Sequence, residues 1–167
     1  MRAWQRNGAA LMLAMLGLGA AAGAIERTKI PSFSLTDRQG RGRSSESLQR
    51  TGQWLLVVVH PSCKPCDAVL QAIAALPPEA AASRVVVVVG NGTDADLAAA
   101  IERFPSLASA EWLTGDSTTL TAALQLAAAS AVFGVRGNMI EWSVSGVLTD
   151  SRDVHSIASS WLAGSTP

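Results

Sequence analysis

The sequence feature that most constrains the fold is an unbroken apolar run, Trp54 to Val59, followed at once by His60 and Pro61. A strand without polar alternation is buried on both faces, as in parallel sheets that are covered by helices. Apolar residues then recur at helical spacing from Cys63 to Leu76, and Pro77-Pro78 predicts the end of that helix. A buried strand that leads directly into a helix indicates an α/β domain.

The same pattern is repeated further along the chain. Arg84 to Val89 contains five consecutive valines and predicts a second buried strand. Downstream we expect a helix from Thr93 or Asp94 to Phe104, a short strand over Glu111 to Leu113, and a helix from Asp116 or Ser117 to about Ala127. Helices that lie between strands imply parallel pairing.

The two ends of the domain predict antiparallel additions to this sheet. Ile30 to Asp37 alternates apolar and polar residues, which is typical of a half-buried strand. Ala131 to Val135 and Met139 to Ser145 flank a turn and predict a β-hairpin, and a last helix should reach Leu162 from Asp150 or Ser151. The sequence therefore predicts a three-layer α/β fold with a mixed central sheet. Four tryptophans are expected in the core or at its boundary: Trp54, Trp112, Trp142 and Trp161.

Residues 1–24 are typical of a secretory signal peptide. Arg2 and Arg6 precede the uncharged stretch Gly8 to Ala24, which ends in the small-residue site Ala22-Gly23-Ala24. The apolar run is also about as long as the shortest membrane-spanning helix, so an uncleaved membrane anchor is the alternative. We expect residues 25–167 to form the exported domain, located in the periplasm of a Gram-negative cell.

Composition excludes several classes of function. Thirteen basic residues balance thirteen acidic ones, which argues against a nucleic-acid partner. Two cysteines cannot build a multi-bridge scaffold. The sequence has no Ser/His/Asp arrangement, phosphate loop or paired carboxylates, and we predict no cofactor.

The motif that carries chemistry is Cys63-Lys64-Pro65-Cys66, at the junction of the buried strand and its helix. A thiolate at a helix start is stabilised by free backbone N–H groups and by the helix dipole, which lowers its pKa. Pro65 suits the first turn of a helix, and Lys64 adds a positive charge that favours thiolate. In this context the pair predicts redox chemistry, with an inert disulfide or a metal site as alternatives.

The sequence resembles the thioredoxin superfamily, and most of all its exported TlpA/ResA-type thiol-disulfide oxidoreductases. The similarity covers roughly Ile30 to Leu162, and its most specific parts are Pro31 to Gly40 and His60 to Cys66. It implies an N-terminal β-hairpin, a strand-helix insertion at Arg84 to Phe104, and a thioredoxin-like ending.

The resemblance also implies a mechanism and partners. Cys63 would attack a partner disulfide and Cys66 would resolve the mixed disulfide. It favours the reductant direction, a client protein with a dithiol or disulfide, and a membrane electron donor.

Three positions depart from the family pattern. Ser62 replaces an aromatic residue before the first cysteine, and Asp67 is the only acid near the place where the branch often carries a Glu. The third is Ser130, which falls where thioredoxins have a cis-proline when residues are counted back from Gly146. A non-proline cis bond costs about 2.5–4 kcal/mol, so we expect a trans peptide there.

Two other functions remain open from the sequence. A thioredoxin-fold protein that binds a soft metal such as copper would use Cys63, Cys66 and His60. A redox-silent assembly subunit is the third possibility. For the oxidoreductase, the residues expected to tune the thiols or contact substrate are Lys64, Pro65, His60 and Ser130.

Overall fold

The computed structural model describes residues 27–145 and 151–164. The predicted signal segment, residues 1–24, and Asp150 lie outside them. The strands are β1 Thr28–Lys29, β2 Ser34–Asp37, β3 Gly42–Ser44, β4 Gln53–Val59, β5 Val85–Gly90, β6 Glu111–Gly115, β7 Ala131–Arg136 and β8 Met139–Ser145. The helices are α1 Cys66–Ala74, α2 Pro78–Arg84, α3 Asp94–Arg103, α4 Ser117–Leu124 and α5 Ser151–Leu162, with short 3₁₀ turns at Ser45–Leu48 and Pro105–Leu107.

The described strands form one mixed sheet in the order β1-β8-β7-β4-β5-β6-β2-β3. β4, β5 and β6 are parallel, as expected for strands that are separated by helices. β7 runs antiparallel to β4, with Ala131 opposite Val58. The hairpin of β2 and β3 joins the other edge through β6. The mixed sheet and the N-terminal hairpin that the sequence predicted are thereby confirmed.

Each face of the sheet has its own core. In β5 the alternate valines Val85, Val87 and Val89 face one core, and Val86 and Val88 face the other. The first core is covered by α1, α2, α3 and α5, and the second by α4 and the segment that includes Ile30 to Leu35. The three-layer architecture is therefore confirmed, and it explains why the central strands lack polar residues.

The structure corrects the predicted boundaries in three places. It contains α2, which the sequence does not predict, because Pro77-Pro78 has the form of a stop signal. Pro78 is in fact the first residue of α2, where a missing N–H costs nothing. Helix α1 begins at Cys66, and α4 ends at Leu124, where Gln125 adopts a left-handed conformation with φ 52°.

The four tryptophans expected in the core are buried, with exposed fractions of 7% or less. No helix in the described ranges is both long and apolar enough to cross a lipid bilayer.

Candidate redox site

Cys63 and Cys66 form a disulfide at the carboxyl end of β4, in the middle of the sheet, with Cα atoms 5.3 Å apart. The chain turns tightly there: the Cys63 N–H donates to the His60 carbonyl at 3.0 Å, and the Cys66 N–H donates to the Cys63 carbonyl at 3.0 Å. Pro65 already has helical angles, φ −62° and ψ −20°, immediately before α1. The strand therefore presents Cys63 in the turn and Cys66 as the first residue of the helix.

The two sulfur-bearing residues differ in burial. Cys66 is 2% exposed and belongs to the core that α1 covers. Cys63 is half-buried, and its neighbours Ser62, Lys64 and Pro65 are exposed. A partner can therefore approach Cys63, whereas Cys66 is shielded from solvent.

An open groove of about 470 Å³ lies beside the disulfide. It is lined by His60, Ser62, Cys63, Lys64, Pro65, Ala128, Ala129 and Ser130. The groove thus brings together five of the six predicted site residues, and the sixth, Cys66, is bonded to Cys63.

Ser130 reaches this groove because it directly precedes β7, the strand that pairs with β4. The residue is 2% exposed, and the described residues contain no cis peptide bond, so the peptide before Ser130 is trans. The part of this loop that lines the groove, where the thioredoxin pattern has a cis-proline, consists here of Ala128, Ala129 and Ser130.

The loop also contacts the buried sulfur. The Sγ atom of Cys66 lies 3.6 Å from the carbonyl oxygen of Ala129. Once the disulfide is reduced, a Cys66 thiol can donate a hydrogen bond to that oxygen. Sequence reasoning missed Ala128 and Ala129, because alanine carries no chemical signal. The count that placed Ser130 was the only indication of this loop.

His60 is half-buried at the end of β4, and its Nδ1 lies 3.0 Å from the hydroxyl oxygen of Ser62. The ring therefore has a local polar partner. Among residues 27–145 and 151–164, no group of three His, Cys, Asp or Glu side chains is close enough to hold a metal ion. Cys63 and Cys66 are bonded to each other in this structure, so the alternative ligand set of Cys63, Cys66 and His60 in the reduced protein stays a prediction.

A second, smaller cleft of about 200 Å³ opens on the Cys66 side of the turn. Asp67 lines it and forms an ion pair with Arg103, with 2.8 Å between nitrogen and oxygen. Asp96 also lines it. Hydrogen bonds from the Thr93 hydroxyl and then from the Thr93 backbone N–H lower the pKa of Asp96, and the nearby His60 adds a smaller charge effect.

Comparison with known proteins identifies the fold. A secreted disulfide oxidoreductase of Mycobacterium tuberculosis, homologous to E. coli DsbE, has a TM-score of 0.61 at 18% identity, over 79% of this chain and 95% of that chain. ScoI of Bradyrhizobium japonicum with copper bound has a TM-score of 0.54 at 14% identity, over 80% of this chain and 99% of that one. BsSco, of the Sco family of cytochrome c oxidase assembly proteins, has a TM-score of 0.56 at 17% identity, over 83% and 95%.

No protein-family model matches the sequence, and no curated protein matches it either. At the identities of the solved structures, the similarity establishes the fold alone. The chain has the thioredoxin-like fold that the sequence predicted, and these neighbours are consistent with the resemblance to TlpA/ResA-type proteins.

Proposed function

We propose that this protein is an exported thiol-disulfide oxidoreductase that uses the Cys63–Cys66 pair. The observation that carries the proposal is the asymmetry of the pair: Cys63 borders an open groove, and Cys66 is buried at the first position of α1. An attacking thiol must be accessible to its partner, and it must lie close to a helix N-terminus, which stabilises the thiolate. A resolving thiol needs only to reach the first sulfur, and the existing disulfide supports that this is possible here.

The reaction is a two-step exchange in the reductant direction. The Cys63 thiolate attacks one sulfur of a client disulfide, a mixed disulfide forms, and the second client sulfur leaves as a thiolate that takes up a proton. The Cys66 thiol loses its proton and attacks the Cys63 sulfur, which releases the first client sulfur. The client gains two electrons and two protons, and the protein becomes a disulfide. A dithiol donor at the membrane would restore the reduced pair.

The direction and the activity are tested together by equilibrating the protein with glutathione redox buffers and then measuring the reduction of a model peptide disulfide. We expect a measurable two-electron potential and turnover when a dithiol is supplied. A pair that neither equilibrates with glutathione nor exchanges with peptides would instead support a redox-silent assembly subunit. Alkylation of the reduced protein below neutral pH should label Cys63 before Cys66, and the opposite order would reverse their roles.

Export is part of the proposal and rests on residues 1–24, with cleavage after Ala24. N-terminal sequencing of the protein from a cell envelope should begin at Ile25 or within a few residues of it. Recovery of an intact Met1 in the membrane fraction would show an anchored protein instead.

The second candidate is binding of a soft metal, which is supported by the similarity of the fold to ScoI with copper bound. In this candidate function the metal would bind to the reduced protein, because the disulfide of Cys63 and Cys66 leaves no thiolate to act as a ligand. Titration of the reduced protein with Cu(I) separates the candidates: tight binding that requires His60 as well as both cysteines would favour the metal protein.

A further inference from the structure

The two sides of the disulfide differ in charge. The groove on the Cys63 side contains the cation Lys64 and the polar side chains of His60, Ser62 and Ser130, and none of the described residues that line it is a carboxylate. The cleft on the Cys66 side is also bordered by His60, and among its described residues it contains the two carboxylates of Asp67 and Asp96 and the cation Arg103. An approaching client therefore meets a positive surface on one side of Cys63 and a net negative one on the other.

Lys64 is available to a partner. The side chain is exposed, and none of the ion pairs among the described residues uses it. Arg103, the cation of the other cleft, is already paired with Asp67. The start of α1 adds partial positive charge close to Lys64. Ala128 and Ala129 leave room for a client side chain across the groove from it.

We infer that the groove selects client segments in which an acidic residue stands next to the reactive cysteine, and that Lys64 is the residue that recognises this charge. The inference rests on the proposed thiol-disulfide exchange and specifies its substrate class. In the mixed disulfide the client carboxylate would lie in the groove beside Lys64. The opposite orientation would bring it towards Asp96, which hydrogen bonds from Thr93 keep ionised.

The test uses three synthetic peptides that carry the same disulfide and differ only in Glu, Gln or Lys beside one cysteine. The rate of reduction by the fully reduced protein is followed by quenching samples with acid and quantifying the reduced peptide by chromatography, at low and high salt. We expect the Glu peptide to react about 1.4- to fivefold faster than the Gln peptide, since exposed charge pairs contribute about 0.2–1 kcal/mol. The Lys peptide should react more slowly than both, and high salt should reduce the differences in rate between the three peptides.

Lys64→Gln removes a positive charge beside the disulfide. The matched control, Lys29→Gln, removes the same charge at an edge of the sheet. Lys64→Gln also alters the thiolate environment, so the readout is the ratio of the Glu rate to the Gln rate for each protein. That ratio should fall to about one in Lys64→Gln and stay unchanged in Lys29→Gln.

The outcomes separate the inference from the proposed function. Equal rates for all three peptides in the unmodified protein would overturn the selection of acidic clients and leave the exchange activity standing. A Glu preference that survives Lys64→Gln would overturn the role of Lys64 in that selection. Failure to reduce any peptide, the neutral one included, would overturn both the inference and the proposed function.

Discussion

The two ends of the paired strands β4 and β7 differ in what surrounds them. At the tryptophan end, far from the disulfide, Trp54 and Trp161 are almost fully buried, and the Trp161 indole N–H donates to the Trp54 carbonyl at 3.1 Å. Trp142 packs edge-on against Trp161, with ring centroids 6.0 Å apart. At the open end, beside the disulfide, the loop before β7 contributes Ala128, Ala129 and Ser130 to the lining of an open groove of about 470 Å³.

Gly134 shows how closely the tryptophan end is packed. A Cβ atom on this glycine would collide with the indole Nε1 of Trp142, its partner across β7 and β8. Close packing of large rings supplies much apolar burial. The tryptophan end therefore holds the domain together, and the open end provides space and reactive groups. Substitutions at the tryptophan end should therefore leave the exchange reaction intact, and substitutions at the open end should leave the packing of the tryptophans intact.

The largest effect should come from the cysteines themselves. Cys63→Ser should abolish all measurable exchange, because the accessible thiol that attacks the client disulfide is removed and Cys66 is buried. In Cys66→Ser, the Cys63 thiolate should still attack the client disulfide. The mixed disulfide should then accumulate, because the resolving thiol is missing. Turnover and trapped-complex assays measure these outcomes, and the near-ultraviolet circular dichroism of the tryptophans should stay that of the reduced parent. A change in that signal would show that the two ends are not independent.

At the tryptophan end, Trp161→Ala should cost about 3–5 kcal/mol of unfolding free energy in urea, because it leaves a large cavity in the core. The matched variant Trp161→Phe keeps an aromatic ring and should lose much less unfolding free energy. Part of that loss is the hydrogen bond to the Trp54 carbonyl, which contributes about 0.5–1.5 kcal/mol. The exchange rate per folded molecule should not change in either variant. A slower exchange at full folded occupancy would contradict the separation of the two ends.

The end that holds the fold was the more predictable one. Apolar runs such as Trp54 to Val59 and the five valines indicate their burial directly, because only a sheet covered on both faces can hide them. The redox pair was equally predictable, since two cysteines separated by two residues at a strand-helix junction indicate thiol-disulfide chemistry.

The open end was predictable only in part. Ala128 and Ala129 line the groove through the antiparallel pairing of β7 with β4, which is a long-range contact that local sequence does not encode. Helix α2 was not predicted, because a proline can either end a helix or be its first residue, and Pro78 is the first residue of α2. The Asp67–Arg103 ion pair joins residues on two helices and likewise needed the tertiary structure.

A smaller effect is expected from Ser130, where the chain departs from the thioredoxin pattern. Ser130→Pro imposes a fixed φ and restricts Ala129, so the loop beside Cys63 should be reshaped. We expect the KM for a peptide disulfide to change about two- to tenfold, the equivalent of roughly one hydrogen bond. Ser130→Ala is the control, because it removes the hydroxyl and keeps the backbone free. If Ser130→Pro leaves exchange rates and metal uptake unchanged, this departure has no functional meaning.

The smallest effect should appear in acid, at a helix start on the open end. Asp116 caps α4, and it accepts hydrogen bonds at 2.7 Å from both the hydroxyl and the backbone N–H of Thr119. These bonds, the hydroxyl first, lower the pKa of Asp116 from the usual 3.8. A group with a lowered folded-state pKa stabilises the protein above its unfolded pKa, and that contribution is lost as the pH falls through the folded value.

Asp116→Asn isolates this contribution, because asparagine caps a helix about as well as aspartate and does not titrate. The variant should match the parent near neutral pH and lose less stability between about pH 5 and about pH 3. Urea midpoints at the two pH values measure the difference, and hydrogen exchange should show α4 amides of the parent loosening before those of β7. Identical acid dependence in the two proteins would mean that the cap of α4 contributes nothing to the acid sensitivity of the open end.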